Sequence, residues 1–319
     1  MASIVQNILE LIGNTPLVRL GRLPQPGWAV VLAKLESMNP SGSVKDRPTL
    51  AIIEEAEAQG QLKPGDTIVE ATGGNTGISL AMIAAAKGYR AVVVMPEGVS
   101  DDHRRLLLSY GAEVMLTPAA EGMIEAGNTV ERLLKENPGY FALNQFQRPA
   151  NPEAHRRATA VEILKATRNG VDAFVAGIGT GGTITGVGQA LKAELPAVLV
   201  VGVEPSTSPL LSQGQAGRHG IPGLGAGFIP QVLERKVLDE VIPVSEEQAR
   251  ETASRLAREE GILTGISAGA NVFAALAIAQ RLGAGKTVVT VLPDTGQRYL
   301  NSLAIREDTA ELSSARRGT

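Results

Sequence analysis

Runs rich in Val and Ile recur along the chain, each a few residues long and each followed by a longer stretch of Ala, Leu, Glu, Lys and Arg. Short apolar runs of this kind suit strands buried on both faces. The longer stretches suit covering helices, so the alternation predicts βαβ units around a mostly parallel sheet. In the first half, strands are expected at Asp66 to Thr72, Ala91 to Pro96 and Glu113 to Pro118, with helices around 76–88, 100–110 and 121–136. In the second half, Ala173 to Gly177, Val198 to Pro205 and Thr287 to Pro293 play the same part. Gln145 to Pro152, polar and holding two prolines, is the expected seam between the halves, and the small polar tail DTAELSSARRGT is expected to fray.

At 319 residues the chain is long enough for two α/β units, each with its own core. A net charge of -3, with both signs scattered, offers no basic stripe, and Phe 5, Tyr 4 and Trp 1 leave few surfaces on which bases could stack. Nucleic acid is therefore not an expected partner. With Cys 0 and three widely spaced histidines, His103, His155 and His219, the sequence offers no disulfide framework, thiol nucleophile or His/Cys metal cluster. The opening residues hold no basic leader and meet Glu10 early, and no apolar run approaches the roughly 20 residues that span a bilayer. A cytoplasmic protein without a membrane partner is the expectation.

Three loops could carry chemistry. Residues 173–183, AFVAGIGTGGT, are a strand ending in glycines ahead of a helical stretch, an arrangement that turns backbone N–H groups and a helix N-terminus toward an anion. Gly177, Gly179 and Gly182 also satisfy the dinucleotide fingerprint, and Glu204 follows about 20 residues on, where a ribose-binding acid would stand. The second loop, Asn39 to Arg47, runs into a helix from about Val44 and carries Lys45, a residue type that condenses with carbonyl cofactors. The third, Thr72-Gly73-Gly74-Asn75-Thr76-Gly77, again lies between a strand and a helix and offers a second anion cradle. Each could be a plain turn or an exposed lysine. Together they suggest an anionic cofactor beside an anionic substrate, whereas hydride transfer from NAD needs only the first.

The motifs NPSGSVKDR, GNTG, GIGTGGTITGV, VEPSTSPLLS, GLGAGFIP and GISAGA, in this order and spacing, resemble those of the cysteine synthases, the O-acetylserine sulfhydrylases of the fold-type II pyridoxal-phosphate enzymes. The likeness runs from about residue 8 to 305 and is nearest to the cysteine synthase A branch. It implies two three-layer α/β domains with mostly parallel sheets, tryptophan synthase β-like. The smaller, mobile domain would be 39–150; the larger would comprise 1–38 and 151–319.

By the same resemblance Lys45 holds pyridoxal 5'-phosphate covalently and later removes the substrate α-proton. Asn75 faces the ring hydroxyl, Gly179, Thr180, Gly181, Gly182 and Thr183 cradle the phosphate, and Ser267 faces the pyridine nitrogen. Thr72, Gly73, Thr76 and Gln145 would hold the substrate α-carboxylate, and Gly74 and Gly225 would also serve the substrate. No metal is implied. The expected reaction converts O-acetyl-L-serine and sulfide to L-cysteine and acetate in a homodimer, with a serine acetyltransferase C-terminal tail as a further partner. Three departures stand out: Gly73 where the family has Ser, Met123-Ile124-Glu125-Ala126 where it has M-K-G-A, and Ala160-Val161 in place of G-P. They bear on substrate preference and rate. The alternatives left open are O-phosphoserine or homocysteine as reactant, a non-catalytic binding relative, and the dinucleotide enzyme.

Overall fold

The computed structural model of the protein describes residues 4–300. Ten strands form two sheets. β1 (Leu17–Arg19), β2 (Val30–Leu35), β7 (Ala173–Gly177), β8 (Leu199–Pro205), β9 (Glu240–Val244) and β10 (Thr287–Leu292) make a six-stranded sheet in the order β1-β2-β10-β7-β8-β9. β3 (Thr67–Ala71), β4 (Arg90–Pro96), β5 (Glu113–Thr117) and β6 (Tyr140–Ala142) make a four-stranded sheet in the order β5-β4-β3-β6. Every pairing is parallel except β1 with β2, where Val18 opposes Ala33.

The Val-rich runs are strands because both of their faces find apolar cover. In the large sheet, Val31, Ala33, Val175, Val201 and Val203 point to one face, under the helices Glu246–Glu260 and Ile266–Leu282. Their neighbours Phe174, Ala176, Val200, Val289 and Val291 point to the other, under Ala160–Thr167 and Gly182–Glu194. The small sheet is covered alike: Ile68, Ala91 and Val93 pack beneath Asp46–Ala58 and Asn75–Lys87, while Val69, Val92 and Val94 pack against Gly122–Glu136. Each sheet is thus the middle of three layers, as period-two side-chain alternation requires when no face meets water.

The six predicted strands are present with ends shifted by at most one residue, and the three first-half helices fall at Asn75–Lys87, Asp101–Ser109 and Gly122–Glu136. The helix expected from about Val44 begins at Asp46, with Lys45 as its N-cap. The predicted seam connects β6 to a helix that starts at Ala150 and passes through a π-turn, His155–Thr159. The tail from residue 301, including the stretch expected to fray and the end of the resemblance, lies outside the described residues.

In parallel sheets ligands gather beyond the carboxyl ends of strands, where the strand order reverses. In the large sheet β8 lies on one side of β7 and β10 on the other, and in the small sheet β4 and β6 flank β3 likewise. The loops leaving these strands are therefore the ones placed to form a site.

Candidate active site

These loops surround one cleft of about 930 Å³ lined by Lys45, Thr72, Gly73, Gly74, Asn75, Thr76, Gln145, Gly179 and Thr180, among others. A deeper hollow at its floor is lined by Lys45, Asn75, Gly179, Thr180, Gly181, Thr183 and Ser267. Residues far apart in sequence and singled out from three loops thus converge. Gly182 opens its helix and is buried against Asn151, so it shapes the cradle from behind. Gly225 stands apart, in a separate small hollow with Ile178 and Glu204; Pro222, Gly223, Leu224 and Ala226 form that wall of the cleft.

Close packing accounts for the glycines of the loop after β7. A Cβ on Gly179 would come 2.1 Å from Gly223 O, one on Gly182 would come 1.8 Å from Asn151 Oδ1, and Gly181 has φ of 84° beneath Leu233. Asn151 also donates to Thr180 Oγ1 at 3.1 Å. Thr183 Oγ1 lies 3.2 Å from His155 Nε2, and His155 Nδ1 lies 3.0 Å from Thr159 Oγ1. Burial, with the Arg47 and Lys45 charges, keeps His155 well below the ordinary histidine pKa, so it is a neutral prop. The loop is rigid, and the first N–H groups of the Gly182–Glu194 helix have no intrahelical acceptor.

Lys45 sits at the mouth of its own helix, and burial lowers the pKa of its ammonium, opposed by the charge of Asp294. The next turn is anchored by ion pairs. Arg47 donates to Glu36 at 2.7 and 2.9 Å and to both oxygens of Glu162 at 2.8 Å, and Lys34 reaches Glu162 at 2.5 Å. Burial pushes the Glu162 carboxyl up, yet the Arg47 and Lys34 contacts outweigh it and hold the group down to about 2. This network ties the lysine's helix to β2 and to the Ala160–Thr167 helix.

On the opposite wall, Thr76 Oγ1 donates to Gln145 Oε1 at 2.6 Å, so the Gln145 amide nitrogen is the donor end, and it also hydrogen-bonds the Glu70 carboxylate. Beneath them Glu70 accepts the N–H of Asn144 at 2.9 Å, and burial raises its pKa to about 7. Ser267 lies in the first turn of the Ile266–Leu282 helix, 6 % exposed and facing the floor hollow.

Several lining residues escaped the sequence reading: Val99, Asp294, Arg298 and Tyr299. Glu204, the possible ribose acid, is committed elsewhere. Its oxygens accept the N–H of Leu211 at 2.8 Å, the N–H of Ser212 at 3.0 Å and the Ser212 hydroxyl at 2.5 Å, so it fastens a short helix and leaves the dinucleotide reading without its acid. Among the described residues no group of three or more His, Cys, Asp or Glu is placed to hold a metal ion, and no helix is long and apolar enough to cross a membrane.

A half-buried lysine beside a glycine-walled anion cradle, with a neutral hydroxyl in the same hollow, defines a carbonyl-cofactor enzyme of the parallel α/β kind. The model of the pyridoxal-phosphate dependent enzyme family matches residues 8–294, and the chain belongs to that family. It is 52% identical over 299 residues to a cysteine synthase of Staphylococcus aureus, covering 93% of this chain and 96% of that protein. Among solved structures it is similar to an O-ureido-L-serine synthase, with a TM-score of 0.94 and 45% identity over 98% of this chain and 100% of the other. It is also similar to a cysteine synthase of Entamoeba histolytica, with a TM-score of 0.91 and 41% identity over 94% and 90%. The fold is that of the fold-type II enzymes, and the cofactor is pyridoxal phosphate. The pocket fits it: Gly179, Gly181 and Gly182 have no room for a Cβ and Thr180 and Thr183 add hydroxyls to the loop, and the hollow holds two buried oxygens without partners among the described residues, Asn271 Oδ1 and Asp294 Oδ1.

Proposed function

We propose that the protein makes L-cysteine and acetate from O-acetyl-L-serine and sulfide. The observation that carries this reading is the convergence of Lys45, the cradle 179–183 and the loop 72–76 on one cleft. Bound pyridoxal phosphate supplies an electron sink for the substrate α-carbon. Lys45 would hold it, Asn75 would face its ring hydroxyl, Gly179 to Thr183 would receive its phosphate, and the hydroxyl of Ser267 would meet its ring nitrogen without the charge that would deepen the sink. A shallower sink favours loss of the β-substituent over transamination. Thr72, Gly73, Gly74, Thr76 and the Gln145 amide bind the substrate α-carboxylate, with Gly225 supporting the wall behind the cleft.

With the cofactor and substrate bound, Lys45 Nζ would be the base that takes the α-proton. Acetate leaves, sulfide adds at the β-carbon, and the same Nζ returns the proton. Burial shifts Lys45 toward the free amine, the form a base requires. Asp101 and Asp102 line the cleft beside Arg105, a mixed wall that suits a neutral acetyl ester better than a phosphate dianion. The resemblance further supports closure of a unit 39–150 on 1–38 and 151–319, a homodimer, a cytoplasmic setting and a serine acetyltransferase tail seated in the cleft. Cysteine production from O-acetyl-L-serine and sulfide, measured beside O-phosphoserine and homocysteine reactions, tests the reading. Turnover confined to one of the latter pairs would overturn it.

A further inference from the structure

The residues after β10 belong to none of the motifs, yet they meet two of the side chains assigned to the cofactor. Val44 N–H donates to Pro293 O at 2.7 Å and Thr295 N–H to Gly42 O at 3.3 Å, while Ser43 and Asp294 oppose each other in an antiparallel bridge. The bridge lays Asp294 alongside Lys45 in the hollow both residues line. Asp294 Oδ2 accepts from Asn75 Nδ2 and from the Tyr299 hydroxyl, each at 2.6 Å, and Arg298 donates to Asn75 Oδ1. Asp294 Oδ1 is buried and has no hydrogen-bond partner among the described residues. It fits only because residue 265 is glycine, where a Cβ would come 2.2 Å from that oxygen.

We propose that Asp294 is a positioning residue of the cofactor pocket, fixing the amide of Asn75 and serving as the counter-ion of the Lys45 ammonium. The proposal rests on the assignment of Lys45 and Asn75 to the cofactor. A primary amide offers two N–H donors and one carbonyl. Arg298 takes the carbonyl of Asn75, and its amide nitrogen donates to Asp294 and also meets the Tyr299 hydroxyl, so the amide cannot flip and its N–H edge is held in one direction. The unpaired Oδ1 is the acceptor available to Lys45 whenever its amine is free and protonated.

The charged and titratable groups around this pair come from four segments. Asp294 faces Lys45, Arg298 and Tyr299, and His103 lies beyond Tyr299, the two rings tilted with centroids 6.2 Å apart. Lys45 feels Asp294, and its charge in turn acts on His155, which burial holds neutral. Burial pushes Lys45 down and Asp294 up, and each charge opposes the other's shift, so the two titrate as a coupled pair.

The test compares the wild-type chain, Asp294→Ala and Asp294→Asn, each stripped of cofactor and checked for folding by circular dichroism. Two quantities are read: the affinity for added pyridoxal phosphate, and the pH midpoint for acetylation of Lys45 by acetic anhydride, followed on its peptide by mass spectrometry. Asp294→Ala is expected to bind the cofactor at least tenfold more weakly. Asp294→Asn keeps an acceptor for Asn75 but not the charge, so its affinity is expected to stay within a few-fold of wild type while its Lys45 midpoint falls by about one pH unit. Wild-type affinity in Asp294→Ala, or an unmoved Lys45 midpoint in Asp294→Asn, would overturn the proposal. Failure of the wild-type chain itself to bind the cofactor would overturn the site assignment and this inference together.

Discussion

Val99 fills the space that a side chain on Gly73 would need: a Cβ built on Gly73 comes 2.8 Å from Val99 Cγ2. The backbone at Gly73 is not left-handed, so the restriction is one of room rather than of φ. Where the family resemblance has Ser, this chain has Gly with a valine methyl seated against it. The two positions therefore form one unit in the wall of the carboxylate loop.

Gly73→Ser alone is expected to lower stability by about 1–3 kcal/mol, the usual cost of forcing atoms into a filled space. Adding Val99→Ala should recover most of that loss, and the double variant should bind O-acetyl-L-serine more tightly than wild type through the regained hydroxyl. Thermal unfolding and KM for the four members of the cycle check this. A single Gly73→Ser protein as stable as wild type would show that Val99 yields freely.

Arg47→Met should be strongly destabilising, although Arg47 touches no cleft residue in the hydrogen-bond network. It strips the bidentate partner from Glu36, which is 0% exposed, and leaves that charge buried. Breaking such a pair on one side costs about 3–5 kcal/mol. Denaturant unfolding would measure it, and a loss below about 1 kcal/mol would contradict the buried network.

Glu70 predicts a pH dependence of stability. Burial raises its folded-state pKa to about 7, against 4.5 for an ordinary glutamate. Between these two values the folded chain holds a proton that the unfolded chain has released, so this carboxyl's contribution to stability is highest at acid pH and falls as pH rises toward 7. A shift of that size corresponds to about 3 kcal/mol lost by pH 8. Glu70→Gln, which can still accept the Asn144 N–H, should flatten this slope and be more stable than wild type at pH 8 but not at pH 4.5. A parallel pH profile for the two proteins would show that Glu70 is ionised as freely in the folded chain as in the unfolded one.

Much of this was legible in the sequence because strands buried on both faces leave unbroken apolar runs, and six such runs marked six strands. The four strands not anticipated from the pattern lack that signal. β1 and β6 are three residues long, β2 carries the buried Lys34 within its run, and β9 holds Pro243, tolerated because that strand is at the sheet edge. The loops after β3 and β7 announced themselves through glycines. Asp294 and Arg298 did not, since their contacts with Asn75 and the Lys45 loop exist only once residues 42–45 and 293–295 are bridged across some 250 positions of chain. A signal was nonetheless present: Pro293 and Asp294 directly follow β10, beside the point where the strand order reverses.

The most direct test of the central claim is the visible absorption spectrum of the purified protein loaded with pyridoxal phosphate, recorded before and after O-acetyl-L-serine and again after sulfide. A yellow protein is expected, with a band that moves to longer wavelength on adding O-acetyl-L-serine, returns when sulfide is added with release of cysteine, and is missing in Lys45→Ala. A wild-type spectrum that ignores O-acetyl-L-serine, or a Lys45→Ala protein that cycles like wild type, would contradict the account.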